Sequence, residues 1–302
     1  MFCIIKVLYN SSIPNTTSDK SDGDDLLHLE DFADDLKQRI IVKQYNDLRI
    51  MTYNVHGFKT KKFKNTFDQI IDIIKNIDPD ILVLEEVYIY KPIETCTQQL
   101  SQLLKQHKLQ YGIFCASGIN AVFSKYAFDC LEIDLGKDNV AFISRNALVC
   151  TFPNNIHLQN LVVVGTHLDV FDQSGYLRKT QIEKILNRLR TNDPTIFDTK
   201  HIVITGDFNS LKRTDYTDNE WNQLVKIDRK RGIKTIVDVV PILEKHGFKD
   251  SFDWCDTKIK ISVWSNRRVD YIFGKNITFS QSIEHRTTLS DHYPVYADIS
   301  LP

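Results

Sequence analysis

Long hydrophobic runs are absent from this sequence of 302 residues. The longest apolar stretches, residues 80–87 and 160–165, are far shorter than the ~20 residues that a membrane-spanning helix needs. Residues 1–9 are apolar, but Lys6 interrupts them and no small-residue cleavage site comes after them, as a signal peptide would require. We therefore expect neither a membrane span nor a secretory signal.

Closely paired cysteines are absent too. The six cysteines stand singly, without the short spacings of a zinc site or the density of a disulfide scaffold (Cys3, Cys96, Cys115, Cys130, Cys150 and Cys255). This pattern is typical of reduced, buried thiols. We therefore expect an intracellular protein, cytoplasmic or nuclear, that is not secreted.

The chain as a whole has no excess of one charge sign, although its parts do. The formal net charge is -1, yet residues 19–35 hold eight acids and one base. The other residues therefore hold 37 bases and 31 acids, a balance of +6. A mildly basic body suits a polyanionic partner such as nucleic acid, and it suits a solvated surface without a partner equally well.

Residues 1–47 differ in composition from residues 48–302. Residues 10–25 are rich in Ser, Thr, Asn and Asp, which is typical of a flexible tail, and residues 26–45 predict one acidic helix. The sequence beyond them shows no internal repeat and no sign of a second domain. We expect a flexible acidic tail and lead-in helix over residues 1–47 and a single domain over residues 48–302.

From residue 48 onward, apolar runs of strand length alternate with segments of helical periodicity. Strands are predicted at residues 48–53, 81–87, 121–124, 147–152, 161–166, 201–205, 268–273 and 294–299. Helices are predicted at residues 63–77, 94–106, 175–190 and 236–246. Because several strands succeed one another without a helix between them, the pattern favours an α/β fold with a two-layered sheet core flanked by helices.

Six short polar motifs lie at the ends of predicted strands, where a rigid sheet presents side chains to a cleft. They are Tyr53-Asn54, Glu85-Glu86, Thr166-His167-Leu168-Asp169, Gly206-Asp207-Phe208-Asn209, Asp270 within residues 268–272, and Ser290-Asp291-His292. Each motif alone could be a turn or a helix cap. Six of them in corresponding positions favour a shared site.

Several of these residues match the needs of phosphate ester hydrolysis. The negative charge of the transition state requires a hard cation held by oxygen ligands, which Glu86, Asp291 and Asn54 can supply. Asp207 can orient or deprotonate the attacking water, and Asn209 can hydrogen-bond a phosphoryl oxygen.

Two histidines complete the set. His167 and His292 can donate to the developing negative charge, and the carboxylate of Asp270 can hold His292 protonated and oriented. The residues alone therefore predict a metal-dependent hydrolase of phosphate esters.

With these motifs in this order, the chain resembles the endonuclease/exonuclease/phosphatase superfamily. That superfamily includes deoxyribonuclease I, AP endonucleases, tyrosyl-DNA phosphodiesterase 2, neutral sphingomyelinases, deadenylases and inositol polyphosphate 5-phosphatases. The resemblance covers residues 48–299 and runs through Tyr-Asn-Val-His, Leu-Glu-Glu-Val, Gly-Thr-His-Leu-Asp, Gly-Asp-Phe-Asn-Ser, Arg-Val-Asp-Tyr-Ile and Ser-Asp-His-Tyr-Pro-Val. It implies a four-layered α/β sandwich with two central, mostly antiparallel β-sheets flanked by helices, and a Mg²⁺ cofactor that Mn²⁺ can replace.

The resemblance also implies a role for each motif residue. It assigns the metal to Asn54 and Glu86, with support from Asp291. It assigns the nucleophile and the phosphate to Asp207 and Asn209. The Asp270–His292 pair is placed at the scissile phosphate, and His167 on its opposite side. No position of this catalytic set is missing, so an active enzyme is expected.

Departures from the family's patterns bear on the substrate. AP endonucleases have a tyrosine where His167 falls, which disfavours that assignment. The Thr-His-Leu-Asp motif, with Arg178 and Gln181 after it, is similar to the tyrosyl-DNA phosphodiesterase 2 and sphingomyelinase-like branches. We expect a monomeric nuclease or DNA-end phosphodiesterase. The alternatives are a sphingomyelinase-like or inositol-phosphate-type phosphoesterase, and a catalytically silent nucleic-acid-binding protein.

Further substrate contacts are predicted at Lys61, Lys62, Asp169 and Arg178. The lysines come after the first motif, where ammonium groups would attract a phosphate backbone, although a solvated helix start explains them equally well. Asp169 would point the same way as His167 along a strand. Arg178 could reach phosphate or lie on a solvated helix face.

Residues 209–250 form an extended segment that contains Trp221, Arg229, Lys230 and Arg231. Such a segment beside the site could bind a polymer through base stacking and phosphate contacts. A surface helix packed by Trp221 is an equally good interpretation.

Overall fold

The computed structural model describes residues 43, 47–60, 62–87, 93–137, 143–254 and 261–301. All of them belong to one unit, Val42–Pro302. The predicted tail and lead-in helix over residues 1–47 lie outside the described residues, except for Lys43 and Asp47. The division of the chain at residue 48 therefore remains a prediction.

The described residues form twelve strands in two six-stranded sheets. In chain order the strands are β1 Leu48–Asn54, β2 Ile81–Glu85, β3 Tyr111–Phe114, β4 Ala121–Ser124, β5 Asp129–Lys137, β6 Ser144–Thr151, β7 Leu161–His167, β8 His201–Asp207, β9 Lys249–Asp250, β10 Asp270–Lys275, β11 Thr278–Glu284 and β12 Val295–Ser300. Sheet I has the order β11-β12-β1-β2-β4-β3, and sheet II has the order β5-β6-β7-β8-β10-β9.

Each sheet contains one parallel pair, β1 with β2 in sheet I and β7 with β8 in sheet II. All other strand pairs in the two sheets are antiparallel. The expectation of two mostly antiparallel central sheets is therefore confirmed.

Helices flank the two sheets. Those in the described part of the chain are α1 Phe67–Ile77, α2 Ile93–Gln106, α3 Tyr176–Asn192, α4 Ile196–Thr199, α5 Asp218–Lys230 and α6 Val240–Lys245, with short 3-10 helices at His56–Phe58, Arg213–Asp215 and Ser251–Trp254. None of these helices has both the length and the apolar character that crossing a bilayer requires. Sheets and helices together confirm the α/β sandwich.

The two faces of sheet II are buried against different partners. In β7, Leu161 and Val163 point toward residues of sheet I, whereas Val162 and Val164 pack with residues of α3. Side chains alternate along a strand, so a strand covered on both faces needs an unbroken apolar run. Fully burying each such side chain stabilises the fold by about 1.5–3 kcal/mol.

The parallel pairs bring polar residues to one edge of the sandwich. In the strand register, Asn54 at the end of β1 pairs with Glu85 at the end of β2. His167 at the end of β7 pairs with Asp207 at the end of β8. Parallel neighbours end at the same edge of a sheet, and the contacts between Asn54 and Asp207 show that the two edges adjoin.

All eight predicted strands are present, but the sequence did not indicate β3, β5, β9 and β11. These are short strands or strands at the edges of the sheets, where one side lacks a partner and apolar runs are not needed. In β5, exposed residues alternate with buried ones, and β11 carries polar residues among its apolar positions. The predicted helix at 63–77 begins four residues later, and the one at 236–246 spans only Val240–Lys245.

Helix α5 lies in the segment for which the sequence left two interpretations open. Thr217 and Glu220 form a capping box at its start, in which each side chain bonds the other residue's backbone N–H. Trp221 is half-buried and packs with Tyr216 in a small cluster beneath the segment. The interpretation of Trp221 as a packing residue is therefore the one that the structure shows.

Gly206 allows the backbones of β8 and β7 to approach each other closely at the position just before Asp207. Its φ is +139°, and a Cβ there would lie 1.8 Å from the carbonyl oxygen of Thr166. We expect Gly206→Ala to lower the free energy of unfolding by roughly 2–5 kcal/mol, because overpacking adds to backbone strain. Chemical denaturation measures this change.

Gly136→Ala is the matched control, because Gly136 also has a positive φ (+93°) but has open space around its missing Cβ. Backbone strain alone should cost about 1–2 kcal/mol there. Equal losses for the two variants would show that the close approach of Gly206 to Thr166 is unimportant.

Candidate active site

Asp207 occupies the centre of the polar edge. Its Oδ1 accepts the backbone N–H of Asn209 at 2.9 Å, and its Oδ2 accepts the side-chain amide of Asn54 at 3.1 Å. The backbone N–H of His56 in turn donates to Oδ1 of Asn54 at 3.1 Å. The carboxylate of Asp207 is therefore fixed by groups from both sheets.

His292 forms an ion pair with Asp270 beside this carboxylate. Nδ1 of His292 lies 2.9 Å from Oδ2 of Asp270, and Nε2 lies 3.8 Å from Oδ2 of Asp207. Asp270 and Asp207 face each other in the register of β10 and β8. The backbone N–H of Asp270 donates to Oγ of Ser262, which fixes the start of β10.

Opposing effects set the charge of His292. Burial alone would lower the pKa of His292, but the carboxylates of Asp270 and Asp207, and the hydrogen bond with Asp270, outweigh it. The pKa of His292 is therefore raised well above its ordinary value of 6.5. This shift favours the protonated imidazolium form of His292.

His167 lies on the other side of Asp207 and has the opposite character. Its Nε2 is 3.4 Å from Oδ2 of Asp207 and 3.9 Å from Oε1 of Glu86. Burial, together with the positive charges of Arg145 and His292, holds the pKa of His167 well below its ordinary range. Among the described residues, neither ring nitrogen has a hydrogen-bond partner. A neutral, buried imidazole without partners is suited to receiving a ligand.

Buried carboxylates are crowded at this site. Burial and the neighbouring charge of Asp270 raise the pKa of Asp207 to about 7. Beneath it lies Glu85, which is fully buried and accepts a hydrogen bond from Oγ1 of Thr52 at 2.7 Å. Burial, with the charges of Asp270 and Asp207, raises the pKa of Glu85 well above its usual value. Glu85 belongs to one of the six sequence motifs, but no role was predicted for it.

The donor set fits a divalent cation. Glu86, His167 and Asp207 offer ligand atoms that all lie within 4.8 Å of one another, and Asp207, Asp270 and His292 form a second such group. Burial and, next to it, the charge of Asp270 raise the pKa of Asp207, and a cation bound to these oxygens would stabilise the ionised carboxylate.

The predicted metal residues Glu86 and Asp291 lie at the end of β2 and in the Ser-Asp-His motif. Glu86 is half-buried and has a positive φ of 56° directly after β2. The carboxylate of Asp291 lies 3.7 Å from Nδ1 of His56. Ser290 donates from Oγ to the carbonyl oxygen of Asn54 at 2.8 Å, which ties the Ser-Asp-His motif to the end of β1.

Asn209 and Asp169 connect the loops that follow β7 and β8 to neighbouring groups. Asn209 has a φ of +48°, and its side-chain amide donates to the carbonyl oxygen of Leu168 at 3.2 Å. Asp169 is fully buried, and its backbone N–H donates to Oε1 of Gln181 at 2.9 Å. Both residues therefore help to hold the loops around His167 and Asp207 together.

Arg178 is buried rather than solvated. Its Nε donates to Oδ2 of Asp238 at 2.8 Å, and one terminal nitrogen donates to the carbonyl oxygen of Asp169 at 3.0 Å. The interpretation of Arg178 as part of a solvated helix face is therefore wrong. Lys62 is exposed, and Lys61 lies outside the described residues.

A pocket of about 310 Å³ opens beside the catalytic residues. Asn209, Asp291 and His292 line one side, and Arg178 also contributes. Trp264, Ile233 and Lys234 are among the other lining residues, and the sequence indicated none of the three. Their nearness to His292 depends on tertiary contacts, so no local pattern could have shown it.

A paired sheet sandwich with a histidine–carboxylate centre at one edge defines a hydrolase of phosphate esters. The chain belongs to the endonuclease/exonuclease/phosphatase family, whose sequence profile matches residues 51–292. Members of this family are phosphodiesterases, phosphatases and nucleases. A comparison with curated proteins gave no significant match.

Solved structures share the fold at low sequence identity. An endonuclease/exonuclease/phosphatase from Beutenbergia cavernae is 20% identical, with a TM-score of 0.60 over 85% of this chain and 72% of that one. TDP2 from D. rerio, complexed with a single-strand DNA product, is 17% identical, with a TM-score of 0.57 over 84% of this chain and 99% of that one. ANGEL2, a 2',3'-cyclic phosphatase, is 16% identical, with a TM-score of 0.59 over 86% and 98%. At these identities the likeness concerns the fold alone.

The Asp270–His292 pair predicts a measurable titration. In metal-free protein we expect the imidazole of His292 to titrate well above 6.5, and Asp270→Asn to lower that pKa by removing the largest favourable charge. The pair should stabilise the folded state fully below pH 6.5 and lose this effect as the pH rises through the folded-state pKa. NMR of ¹⁵N-labelled histidines measures both values.

His285 is the internal control in the same spectra. Burial lowers its pKa, and Asp270 is not among the causes. A His292 titration that is unchanged in Asp270→Asn would contradict the ion pair.

Proposed function

We propose that this chain is a Mg²⁺-dependent phosphodiesterase that acts on nucleic acid, as a nuclease or a DNA-end phosphodiesterase. The observation that carries the proposal is the arrangement around Asp207. A protonated His292 stands on one side of this carboxylate, a neutral His167 stands on the other, and Glu86 adjoins. Phosphoryl transfer needs such a set, with a group that orients water between donors for the phosphoryl oxygens.

Asp207 is the group that orients and deprotonates the attacking water. With a pKa of about 7, Asp207 can both accept and release a proton at neutral pH. The hydrogen bonds from Asn54 and the backbone of Asn209 fix its two oxygens. The amide of Asn209 lies at the pocket wall, where it can hydrogen-bond a phosphoryl oxygen.

The two imidazoles stabilise the phosphate from opposite sides. His292 donates from Nε2, while Asp270 holds its Nδ1–H and keeps the ring charged. His167 remains neutral and donates from a nitrogen that has no other partner among the described residues. Donors fixed before the reaction stabilise developing charge without reorganisation.

Glu86 and Asn54 would hold the metal ion, with Asp291 in support. Mg²⁺ prefers oxygen ligands, and Mn²⁺ accepts the same set. When bound, the ion supplies charge stabilisation for the phosphoryl group and for the leaving oxygen. Asp291 enters the pocket wall beside His292, which suits a supporting position.

The pocket supports nucleic acid as the substrate class. The half-exposed Trp264 offers a flat apolar face beside exposed Lys234, and nucleotides combine flat bases with anionic phosphates. The fold is shared with a TDP2 structure that holds a single-strand DNA product. We also propose that the protein acts as an intracellular monomer, in keeping with the free thiols of Cys115, Cys130 and Cys150.

The proposal is tested on a matched panel of single-stranded and double-stranded DNA, RNA, a 5′-tyrosyl DNA end, sphingomyelin and an inositol phosphate. We expect chelator-sensitive cleavage of nucleic acid, and we expect Asp207→Asn to lower kcat by several orders of magnitude. The substitution removes the carboxylate without changing its volume, so thermal unfolding should change little.

Asp72→Asn, at an exposed position of α1, controls for the loss of one negative charge. Near-parental activity of Asp207→Asn would refute its assigned role. Turnover of sphingomyelin or the inositol phosphate alone would preserve the mechanism and replace the substrate.

The metal assignment is tested with Glu86→Gln. Because an amide oxygen binds Mg²⁺ more weakly than a carboxylate, we expect the Mg²⁺ concentration for half-maximal activity to rise at least tenfold. Titration of activity against Mg²⁺ gives this value. Glu183→Gln on the exposed face of α3 is the control, and an unchanged Glu86→Gln titration would place the ion elsewhere.

A further inference from the structure

A strongly basic segment covers the last two residues of helix α5 and the turn after it, and its end lines the catalytic pocket. Residues 229–234 read Arg-Lys-Arg-Gly-Ile-Lys, and all six are exposed. We call them the basic lip. Ile233 and Lys234 line the pocket that Asn209, Asp291 and His292 also line. The lip therefore places Lys234 in the pocket lining and carries three further exposed cations, Arg229, Lys230 and Arg231, in the residues just before it, with no acidic residue among the six.

The backbone of the lip has a defined path. The N–H of Ile233 donates to the carbonyl oxygen of Asp228 at 2.8 Å, and the N–H of Gly232 donates to that of Arg229 at 3.1 Å. With Gly232 at a φ of +68°, these bonds form the motif that commonly ends a helix and turns the chain. The direction of the lip is thus set by the end of α5.

Asp228 anchors the lip to the rest of the pocket. Its side chain is fully buried, accepts a hydrogen bond from Oγ1 of Thr235 at 2.7 Å and forms an ion pair with Arg267. Arg267 itself lines the pocket. Because the buried carboxylate of Asp228 contacts both Thr235, next to the lip, and Arg267, in the pocket lining, it fixes the position of the lip relative to the pocket.

Trp264, three residues before Arg267, also lines the pocket. Its side chain is 43% exposed, and its backbone N–H donates to the carbonyl oxygen of Asp291 at 3.2 Å. The neighbouring Val263 makes a bridge with His292. The backbone at Trp264 is therefore tied to the Ser-Asp-His motif, and Trp264 lines the same pocket as His292.

We propose that the basic lip and Trp264 together bind an unpaired nucleic acid strand that continues from the scissile phosphate. The phosphates lie on the lip and one base stacks on Trp264. Stacking needs an exposed base face, which a duplex hides, and this favours an unpaired strand. A membrane surface is disfavoured because Ile233 is the only large apolar side chain within the lip.

The inference rests on the proposed function for the position of the scissile phosphate, but strand binding itself does not require turnover. Binding is therefore measured on the full chain with EDTA, by fluorescence anisotropy of short labelled oligonucleotides over a range of salt concentrations. Single-stranded DNA, single-stranded RNA, a blunt duplex and phosphatidylserine vesicles are compared.

The triple variant Lys230→Gln, Arg231→Gln, Lys234→Gln removes three charges from the lip. Each lost phosphate contact should reduce the slope of log affinity against log salt by about 0.7 for a single strand, hence by about 2 in total. The matched control is Lys75→Gln, Lys184→Gln, Arg188→Gln, which removes three exposed charges from α1 and α3. This control should keep the parental slope.

Trp264→Ala separates stacking from charge. It should weaken single-strand binding about 5- to 100-fold and leave the salt slope unchanged, because no cation is lost. Tyr111→Ala is the control, since Tyr111 is an aromatic residue of equal exposure, 43%, on the edge strand β3. Parental binding by Tyr111→Ala together with loss in Trp264→Ala supports the stacking site.

Equal salt slopes for the lip and control triples would overturn the proposal. So would tighter binding of the duplex than of the single strand, or loss of vesicle binding alone in the lip variant. These results are separable from failure of the proposed function. Hydrolysis that is absent while lip-dependent binding persists removes the enzyme assignment only, and hydrolysis with lip-independent binding removes the strand site only.

Discussion

Parallel pairing of two strands in each sheet is the constraint on which the site depends. Antiparallel neighbours end at opposite edges, whereas β1 with β2 and β7 with β8 deliver four strand ends to a single edge. The hydrogen bond from Asn54 to Asp207 joins the two pairs across the sandwich. Gly206 permits the close approach of β8 to β7 just before Asp207, because any side chain there would strike the carbonyl oxygen of Thr166. The catalytic centre is thus a consequence of topology.

The electrostatics of the centre result from this convergence. Because several acids share one buried edge, burial and mutual repulsion raise the pKa of Asp207, while the same acids raise the pKa of His292. Burial, with the positive charges of Arg145 and His292, lowers the pKa of His167. The pKa values of the two imidazoles beside one carboxylate are therefore shifted in opposite directions, which favours His292 as a charged donor and His167 as a neutral one.

The sequence predicted the parts of the fold that are buried on both sides. β7 and β8 have unbroken apolar runs since both their faces are covered, whereas the edge strands β5 and β11 lack such runs. The candidate catalytic residues could be predicted to lie together because each stands next to a strand end, and their roles stay predictions. The burial of Arg178 and the position of Trp264 were not, since the partners that bury Arg178 and hold Trp264 beside His292 are distant in sequence.

The basic lip belongs to no strand of either sheet, and the end of α5 and the carboxylate of Asp228 anchor it to the rest of the molecule. We therefore expect substitutions in residues 229–234 that retain Gly232 to leave the positions of Asp207 and His292 unchanged. The candidate catalytic site lies at the edges of the two sheets, whereas the proposed strand-binding residues of the lip lie outside both sheets. Evolution or protein engineering could use that separation to redirect one chemistry toward different polymers.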